Sequence, residues 1–316
     1  MREIIIKKEE ENQRLDKFLF KLLNDAPKTF VYKMLRKKNI KLNGLKAAGS
    51  EILACGDVLN LYFSDETISK FSSEKEVNFS AGNLEIVYED DNILAINKPK
   101  GVLSHPDNGE KNSVVDQVLL YLHKKGEYDV SANSTFTPGI VNRLDRNTTG
   151  LMLAGKNLAA LQGLNGLFRE KEEIEKYYLA IVKGNVQKAG KLTGYHVKNA
   201  ENNKVFIHGN PVEGSSFVNT EYEPVFSCET ASFIRIKLIT GKSHQIRAHL
   251  SHVGNPILGD NKYGSLSFNK KYKIYTQLLH SEKIVFKTSY LSEKNIQASL
   301  PSEFKNIANQ IFGGIL

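Results

Sequence analysis
Cysteine is scarce in this chain. Its 316 residues include two, Cys55 and Cys228, and no Cys-x-x-Cys pair. Cysteine-built zinc sites and a disulfide scaffold are therefore excluded, and two lone thiols fit a reducing compartment. Long apolar runs are also missing: nothing approaches the roughly 18 consecutive apolar residues of a membrane-spanning helix. The amino-terminal MREIIIKKEEENQR has three consecutive isoleucines and then charge, too short a stretch for the core of a signal peptide. These absences lead to the expectation of a soluble cytoplasmic protein. Repeats and low-complexity tracts are absent as well. With 41% hydrophobic and 25% charged residues, neither disorder nor a fibrous protein fits. The length suits about two domains.

The net charge of +8 is thin over 316 residues, so its placement matters more than its size. Residues 1–63 carry 13 Lys/Arg against 8 Asp/Glu, and from Lys28 to Lys46 there are seven basic residues and no acid. Residues 64–82, SDETISKFSSEKEVNFSAG, are polar, Ser-rich and acidic, without strong periodicity, and read as a linker. Dense apolar segments resume at Leu84. The expected organisation is a small basic domain over 1–63, a linker over 64–82 and a larger domain over 83–316.

In the first domain Leu15, Phe18, Leu19, Leu22 and Leu23 form one apolar helical stripe, which Pro27 ends. Thr29 is placed to cap a second helix with Val31, Met34 and Leu35 on its buried face. Lys33, Arg36 and Lys37 share another face of that helix, and the basic run continues through Lys38, Lys41 and Lys46. An isolated cationic triplet is usually a solvated surface. This one, extended and without a neutralising acid, calls for an anionic partner. Asn43-Gly44 after Ile40-Lys41-Leu42 marks a hairpin turn, and Asp57 to Phe63 reads as a closing strand. The second domain reads as mixed α/β, with strands over 84–88, 93–97, 176–182 and 234–239 and helices over 113–123, 155–169 and 244–253.

Two clusters could carry chemistry. The first, Pro138 to Gly150, places Asp145 between Arg143 and Arg146, ahead of the apolar strand Leu151 to Ala154. Neighbouring cations favour the carboxylate form, which suits a nucleophile or an electrostatic stabiliser better than a general acid. Taken alone, such an aspartate is more often a turn cap or a salt-bridge partner. The second cluster runs from Leu238 to Leu250. Its Gly241-Lys242-Ser243 imitates the end of a phosphate loop, but Ile236 stands where that motif needs glycine. His244, His249 and His252 lack zinc-site spacing, and no His-Glu-x-x-His is present.

NRLDRNTTGL, then KYYLAIVKG from Lys176 to Gly184, then LITGKSHQIRAHL with GNPILGDNKYG resemble, in order, the motifs of RluA-type pseudouridine synthases, and most of all the RluC- and RluD-like members. RLDKFL followed by KTFVYKMLRKKNIKLNG, within residues 12–63, resembles the small RNA-binding domain of ribosomal protein S-four. The resemblance implies an α+β protein: a catalytic fold with a mixed, mostly antiparallel sheet and flanking helices, beside a small N-terminal α/β RNA-binding domain. It implies an isomerase that turns specific uridines into pseudouridine, with large-subunit (23S) ribosomal RNA as the expected partner. That reaction involves no redox step, group transfer or energy input, so no cofactor is expected, and the motifs suggest no metal. The sequence gives no sign of an oligomer interface, so a monomer is the default expectation. The nearest alternative is the same chemistry on transfer or messenger RNA. A non-catalytic, ribosome-associated RNA-binding protein would leave the ordered motifs unexplained. A hydrolase built on Asp90, Asp91 and Asp145 would rest on acids that read as solvated turn residues.

Carried over residue by residue, the family's catalytic aspartate falls on Asp145. Its arginine that enters the RNA where the target uridine flips out falls on Arg143. Tyr178 matches the tyrosine that packs on the flipped base and is a candidate for moving a proton. Arg247 matches the arginine that pairs with the aspartate, Leu238 a wall of the base pocket, and His105 a position near the substrate. Lys33, Arg36, Lys37 and Lys41 would contact the RNA backbone. Two positions depart from the family pattern: Asn142 stands for its histidine, and Lys242 for its arginine. Lysine keeps the charge but loses the bidentate geometry.

Overall fold
The structure is a computed structural model and describes residues 1–72, 84–107, 112–128, 136–170, 172–199, 201–288 and 294–314. Most of the expected linker, residues 73–82, lies outside the described residues. Among the described residues no helix is long and apolar enough to cross a membrane.

The N-terminal unit is a four-stranded antiparallel sheet with helices against it. Its elements are β1 (Arg2–Ile5), α1 (Leu15–Leu22), α2 (Lys28–Arg36), β2 (Ile40–Leu42), β3 (Leu45–Lys46) and β4 (Val58–Leu61), and the strand order is β1-β4-β2-β3. The α1 stripe is the heart of the small core: Leu15, Phe18 and Leu19 are fully buried. α2 begins one residue before the expected cap. Pro27, with φ −57°, stands at the N-cap position, no side chain caps the helix, and Thr29 lies inside it. Proline's fixed φ presets the entry, which makes a hydroxyl cap unnecessary. Val31 and Leu35 are buried, Met34 is half-buried, and Lys33, Arg36 and Lys37 are exposed. Asn43 (φ 50°) and Gly44 (φ 77°) are both left-handed, as a two-residue hairpin turn demands.

The segment read as a linker opens with a helix, α3 (Asp65–Phe71). Ser64 caps it by accepting a hydrogen bond from the Thr67 amide. Ile68 is buried in the small core, and the Phe71 ring lies 4.6 Å from that of Phe30. Seven residues are too few for a stable helix in isolation, so this one persists through its two apolar contacts.

The larger unit is built on an 11-stranded sheet. In chain order its elements are β5 (Ile86–Glu89), β6 (Ile93–Lys98), α4 (Val114–Lys124), β7 (Gly139–Ile140), β8 (Thr149–Gly155), α5 (Leu158–Glu170), β9 (Ile174–Lys183), β10 (Gly190–Asn199), β11 (Lys204–His208), β12 (Ser216–Ser227), β13 (Ala231–Leu238), α6 (Gln245–His252), α7 (Leu266–Tyr272), β14 (Leu279–Phe286), β15 (Asn295–Gln297) and α8 (Ser302–Phe312). The strand order is β11-β10-β12-β13-β9-β14-β8-β6-β5, with β7 on β8 and β15 on β14. Among the described pairings β8 with β14 is parallel and the rest are antiparallel, so the sheet is mixed and mostly antiparallel, as expected.

Every residue of β6 and β8 is buried, and the period of two divides them between two cores. Leu94, Ile96, Met152 and Ala154 join Val114, Val118 and Leu122 of α4. Ile93, Ala95, Leu151 and Leu153 join Ala160 and Leu164 of α5. The parallel step sets Gly150 opposite Ser281. Gly150 has φ 106°, and a Cβ there would collide with the Ser281 backbone, so only glycine lets the strands close.

Candidate active site
The loop that leads into β8 is held by its backbone. Ser104 Oγ donates to the Leu144 carbonyl at 2.7 Å and accepts from the Leu144 amide at 3.0 Å. Lys98 is fully buried, and its Nζ donates at 2.8 Å to three carbonyls, those of Pro99, Val102 and Arg146. Burial draws this ammonium down to about 7, with the Asp145 charge working against that and the Arg146 charge adding to it. Three carbonyl acceptors match the three hydrogens of the protonated form. Asn142 tethers the start of the loop to β8, accepting from the Leu153 amide at 2.8 Å and donating to the Leu151 carbonyl at 3.1 Å. Asp145 therefore sits on a fixed piece of chain.

Arg247, on α6, meets that aspartate. Its Nη1 donates to Asp145 Oδ2 at 2.6 Å. Its other donors engage a second acid: Nε donates to Asp260 Oδ2 at 2.7 Å and Nη2 to Asp260 Oδ1 at 2.9 Å. Asp260 is 1% exposed. Burial alone would push its carboxyl up, but the hydrogen bonds and charge of Arg247 and the Tyr263 and Lys262 amides hold it below the ordinary value. Burial likewise works against the Arg247 charge, and Asp260 and Asp145 more than offset it. The Tyr263 ring lies 5.1 Å from the guanidinium carbon.

Around this ion triad is a cleft of about 710 Å3, lined in part by His105, Arg143, Asp145, Tyr178, Leu238 and Arg247. All six candidate residues of the larger unit are thus brought to one place. Tyr178, on β9, is 7% exposed, and burial, with the Asp145 charge adding to it, pushes its phenol up to about 12; a hydrogen bond from Ser281 offsets part of that. Leu238 ends β13 and is half-buried. Arg143, Arg146, His105 and Lys242 are exposed at the rim. Partial burial and the Arg143 charge hold the His105 imidazole below its ordinary value. Lys33, Arg36, Lys37 and Lys41 do not line this cleft; they lie on the N-terminal unit, where Lys41 stands 5.2 Å over the Tyr62 ring.

A family profile described as RNA pseudouridylate synthase matches residues 92–252, which include the loop, β8, β9, β13 and α6. The chain belongs to the RluA family of RNA pseudouridine synthases. It is 34% identical to an uncharacterized RNA pseudouridine synthase of Mycoplasma capricolum, over 94% of this chain and 97% of that one. It is 30% identical to the ribosomal large subunit pseudouridine synthase C of Vibrio vulnificus, over 92% of this chain and 89% of that one. Among solved structures, human RNA pseudouridylate synthase domain containing 4 superposes with a TM-score of 0.58 at 24% identity, covering 72% of this chain and 92% of that one; this likeness concerns the fold. As a pseudouridine synthase the chain is an isomerase acting on RNA.

Sequence reasoning did not single out several residues that build this synthase's cleft. Asp260 and Tyr263 lie within GNPILGDNKYG, and Lys98 ends β6. A buried arginine has five N–H donors in a fixed fork, which need acceptors on more than one side, and that is the signal that could have drawn Asp260 out. Ser104 acts through the backbone of the loop, and nothing local in the sequence marks that; Asn142, conspicuous only as a departure from the family pattern, does the same.

Proposed function
We propose that this synthase isomerises uridines of large-subunit ribosomal RNA, with Asp145 as the carboxylate that acts on the ribose. The observation that carries this is the placement of Asp145 on a braced loop, 2.6 Å from an arginine anchored on a second, buried acid. In the reaction the C1′–N1 bond of uridine breaks, the base turns, and a C1′–C5 bond forms. N1 gains a proton and C5 loses one, so the atoms balance without a co-reactant. Cleavage builds positive charge on the ribose, and a fixed carboxylate offsets it where it develops. Asp145 does so by attacking C1′ or by taking the C2′ proton to give a glycal.

The target nucleotide must leave its stack to reach the cleft. Arg143, exposed at the rim, is suited to brace the vacated position. Tyr178 walls the base. Its phenol stays protonated at neutral pH, which suits a stacking surface and hydrogen-bond donor better than a base. The N-terminal unit grips the RNA backbone through Lys33, Arg36, Lys37 and Lys41, while the larger unit does the chemistry. Ribosomal RNA is favoured as substrate because a relative similar over nearly its whole length is named for the large ribosomal subunit.

The test compares RNA from a deletion strain complemented with wild type or with Asp145→Asn, mapped for pseudouridine by carbodiimide chemistry. Sites in 23S RNA should vanish on deletion, return with wild type, and stay at least about 1,000-fold slower to form with the variant, a loss of about 4 kcal/mol of transition-state stabilisation. Near-normal modification by Asp145→Asn would overturn the mechanism. Loss confined to transfer or messenger RNA would overturn the substrate.

A further inference from the structure
His244 has a backbone conformation that a histidine rarely adopts. Its φ is 52°, at the N-cap of α6, and no side chain caps that helix. A left-handed non-glycine residue stores strain, and such residues collect where a side chain must be aimed. Here the ring lines the cleft. Its Nε2 lies 3.9 Å from Asp145 Oδ1. Arg247 occupies Oδ2, and Oδ1 makes no hydrogen bond among the described residues. The oxygen left free to act is therefore the one that faces the histidine.

The proton on that ring can be located from its neighbour. His244 Nδ1 lies 2.9 Å from the Tyr263 hydroxyl. That hydroxyl already accepts from the Val205 amide at 2.7 Å. Tyr263 is 7% exposed, and a buried hydroxyl hydrogen needs an acceptor. Among the described residues His244 Nδ1 is the acceptor within reach. Tyr263 then donates to Nδ1, Nδ1 carries no hydrogen, and the neutral ring carries its hydrogen on Nε2.

We propose that His244 is a positioning residue of the isomerisation: Tyr263 locks it as the Nε2–H tautomer, and it presents that hydrogen to the acting oxygen, Oδ1, of Asp145. At 3.9 Å no hydrogen bond exists in the free enzyme; the bond forms when RNA fills the cleft, and it fixes the carboxylate in line with the ribose. Burial favours the neutral ring, and Arg247 and Lys262 act in the same direction, while Asp145 and Asp260 oppose them. The proposal rests on Asp145 being the acting carboxylate.

Two readouts test it. In full-length protein with 15N-labelled histidine, long-range proton–nitrogen correlation at neutral pH should show His244 as the Nε2–H tautomer, and Tyr263→Phe should give a mixture. In single-turnover assays His244→Gln, whose amide nitrogen replaces Nε2, should stay within about tenfold of wild type. His244→Asn, whose amide falls at Nδ1, should lose about 100-fold in the chemical rate with RNA affinity unchanged. Backbone preference runs the other way, because asparagine tolerates φ near +50° better than glutamine, so a merely structural histidine would be replaced better by asparagine. An Nδ1–H tautomer, or asparagine matching glutamine, overturns the proposal. Full activity of Asp145→Asn would instead overturn the reading on which it rests.

Discussion

Replacing Asp260 by asparagine asks how much of the site depends on the acid behind the arginine. Oδ1 of Asp260 accepts from Arg247 Nη2 and from the Lys262 and Tyr263 amides, and Oδ2 accepts from Arg247 Nε. An asparagine must put its NH2 on one side. Facing Oδ1's neighbours it would meet three donors; facing Oδ2's neighbour it would meet one. The second choice costs less, yet it loses a charge-assisted hydrogen bond, about 1.5–3 kcal/mol, and leaves a buried donor unpaired, about 1–3 kcal/mol. Asp145 still neutralises Arg247 from the other side, so the whole loss should be about 3 kcal/mol, the low end for breaking a buried ion pair. That corresponds to a drop of roughly 6–12 °C in Tm for a domain of this size. The chemical rate should fall about 100-fold with RNA affinity kept, because Arg247 loses its fixed orientation.

The acid limb of the stability profile should change too. The folded Asp260 carboxyl lies below its unfolded value. Its stabilisation is thus present above an unfolded pKa of about 3.9 and is lost as pH falls through the lower folded value. The variant should lack this contribution. Circular dichroism melts between pH 3 and 7, with single-turnover pseudouridine formation, measure both effects. Wild-type melting together with wild-type turnover would refute the reasoning.

Three further outcomes follow from geometry. Tyr178→Phe keeps the ring that lines the cleft and, if that ring walls the base as proposed, should reduce the chemical rate by less than about tenfold, whereas Tyr178→Ala should cost about 3–5 kcal/mol of stability as well as activity; equal losses in single-turnover assays would show the hydroxyl to be essential. Lys33→Ala, Arg36→Ala and Lys37→Ala together should weaken RNA binding and lower the log–log salt slope by about 2, with turnover of saturated enzyme unchanged; an unaltered slope in filter binding would separate this helix face from the RNA. Glu89 accepts hydrogen bonds from Tyr121, Lys125 and Lys156. Against the effect of burial, these partners hold its carboxyl down to about 2. Its stabilisation is present above an unfolded value of about 4.3 and disappears as pH falls towards 2. Glu89→Gln should flatten that loss in acid melts, by about 1–2 kcal/mol because one partner is partly solvated.

Features fixed by a few neighbouring residues were legible. The α1 stripe is periodic, and Asn43-Gly44 has the chemistry of its turn. Buried strands such as Leu151 to Ala154 announce themselves by apolar content. Thr29 misled because Pro27 presets the helix entry without a side-chain cap. α3 was missed because its sequence is polar and its stability comes from Ile68 and Phe71 meeting side chains far away in the chain. Polar alternation along β10 to β12, with Pro224 inside β12, gives a weak strand signal until the neighbouring strands are in place. At the site, Asp145 and Arg247 could be named from their motifs. The second acid could not, and Asn142 and His244, though visible within their motifs, showed nothing of their roles, because each acts through a partner that only the fold brings near.

The parallel pairing of β8 and β14 also sets a schedule. Thr149 and His280, bonded at 2.8 Å, are 131 residues apart. During synthesis Asp145, Tyr178 and Arg247 have all emerged before the strand that closes the sheet beside them. Loop closure over such a distance comes late, and contacts of this range make folding slow. A growing chain should thus stay inactive until β14 has emerged and slots between β8 and β9.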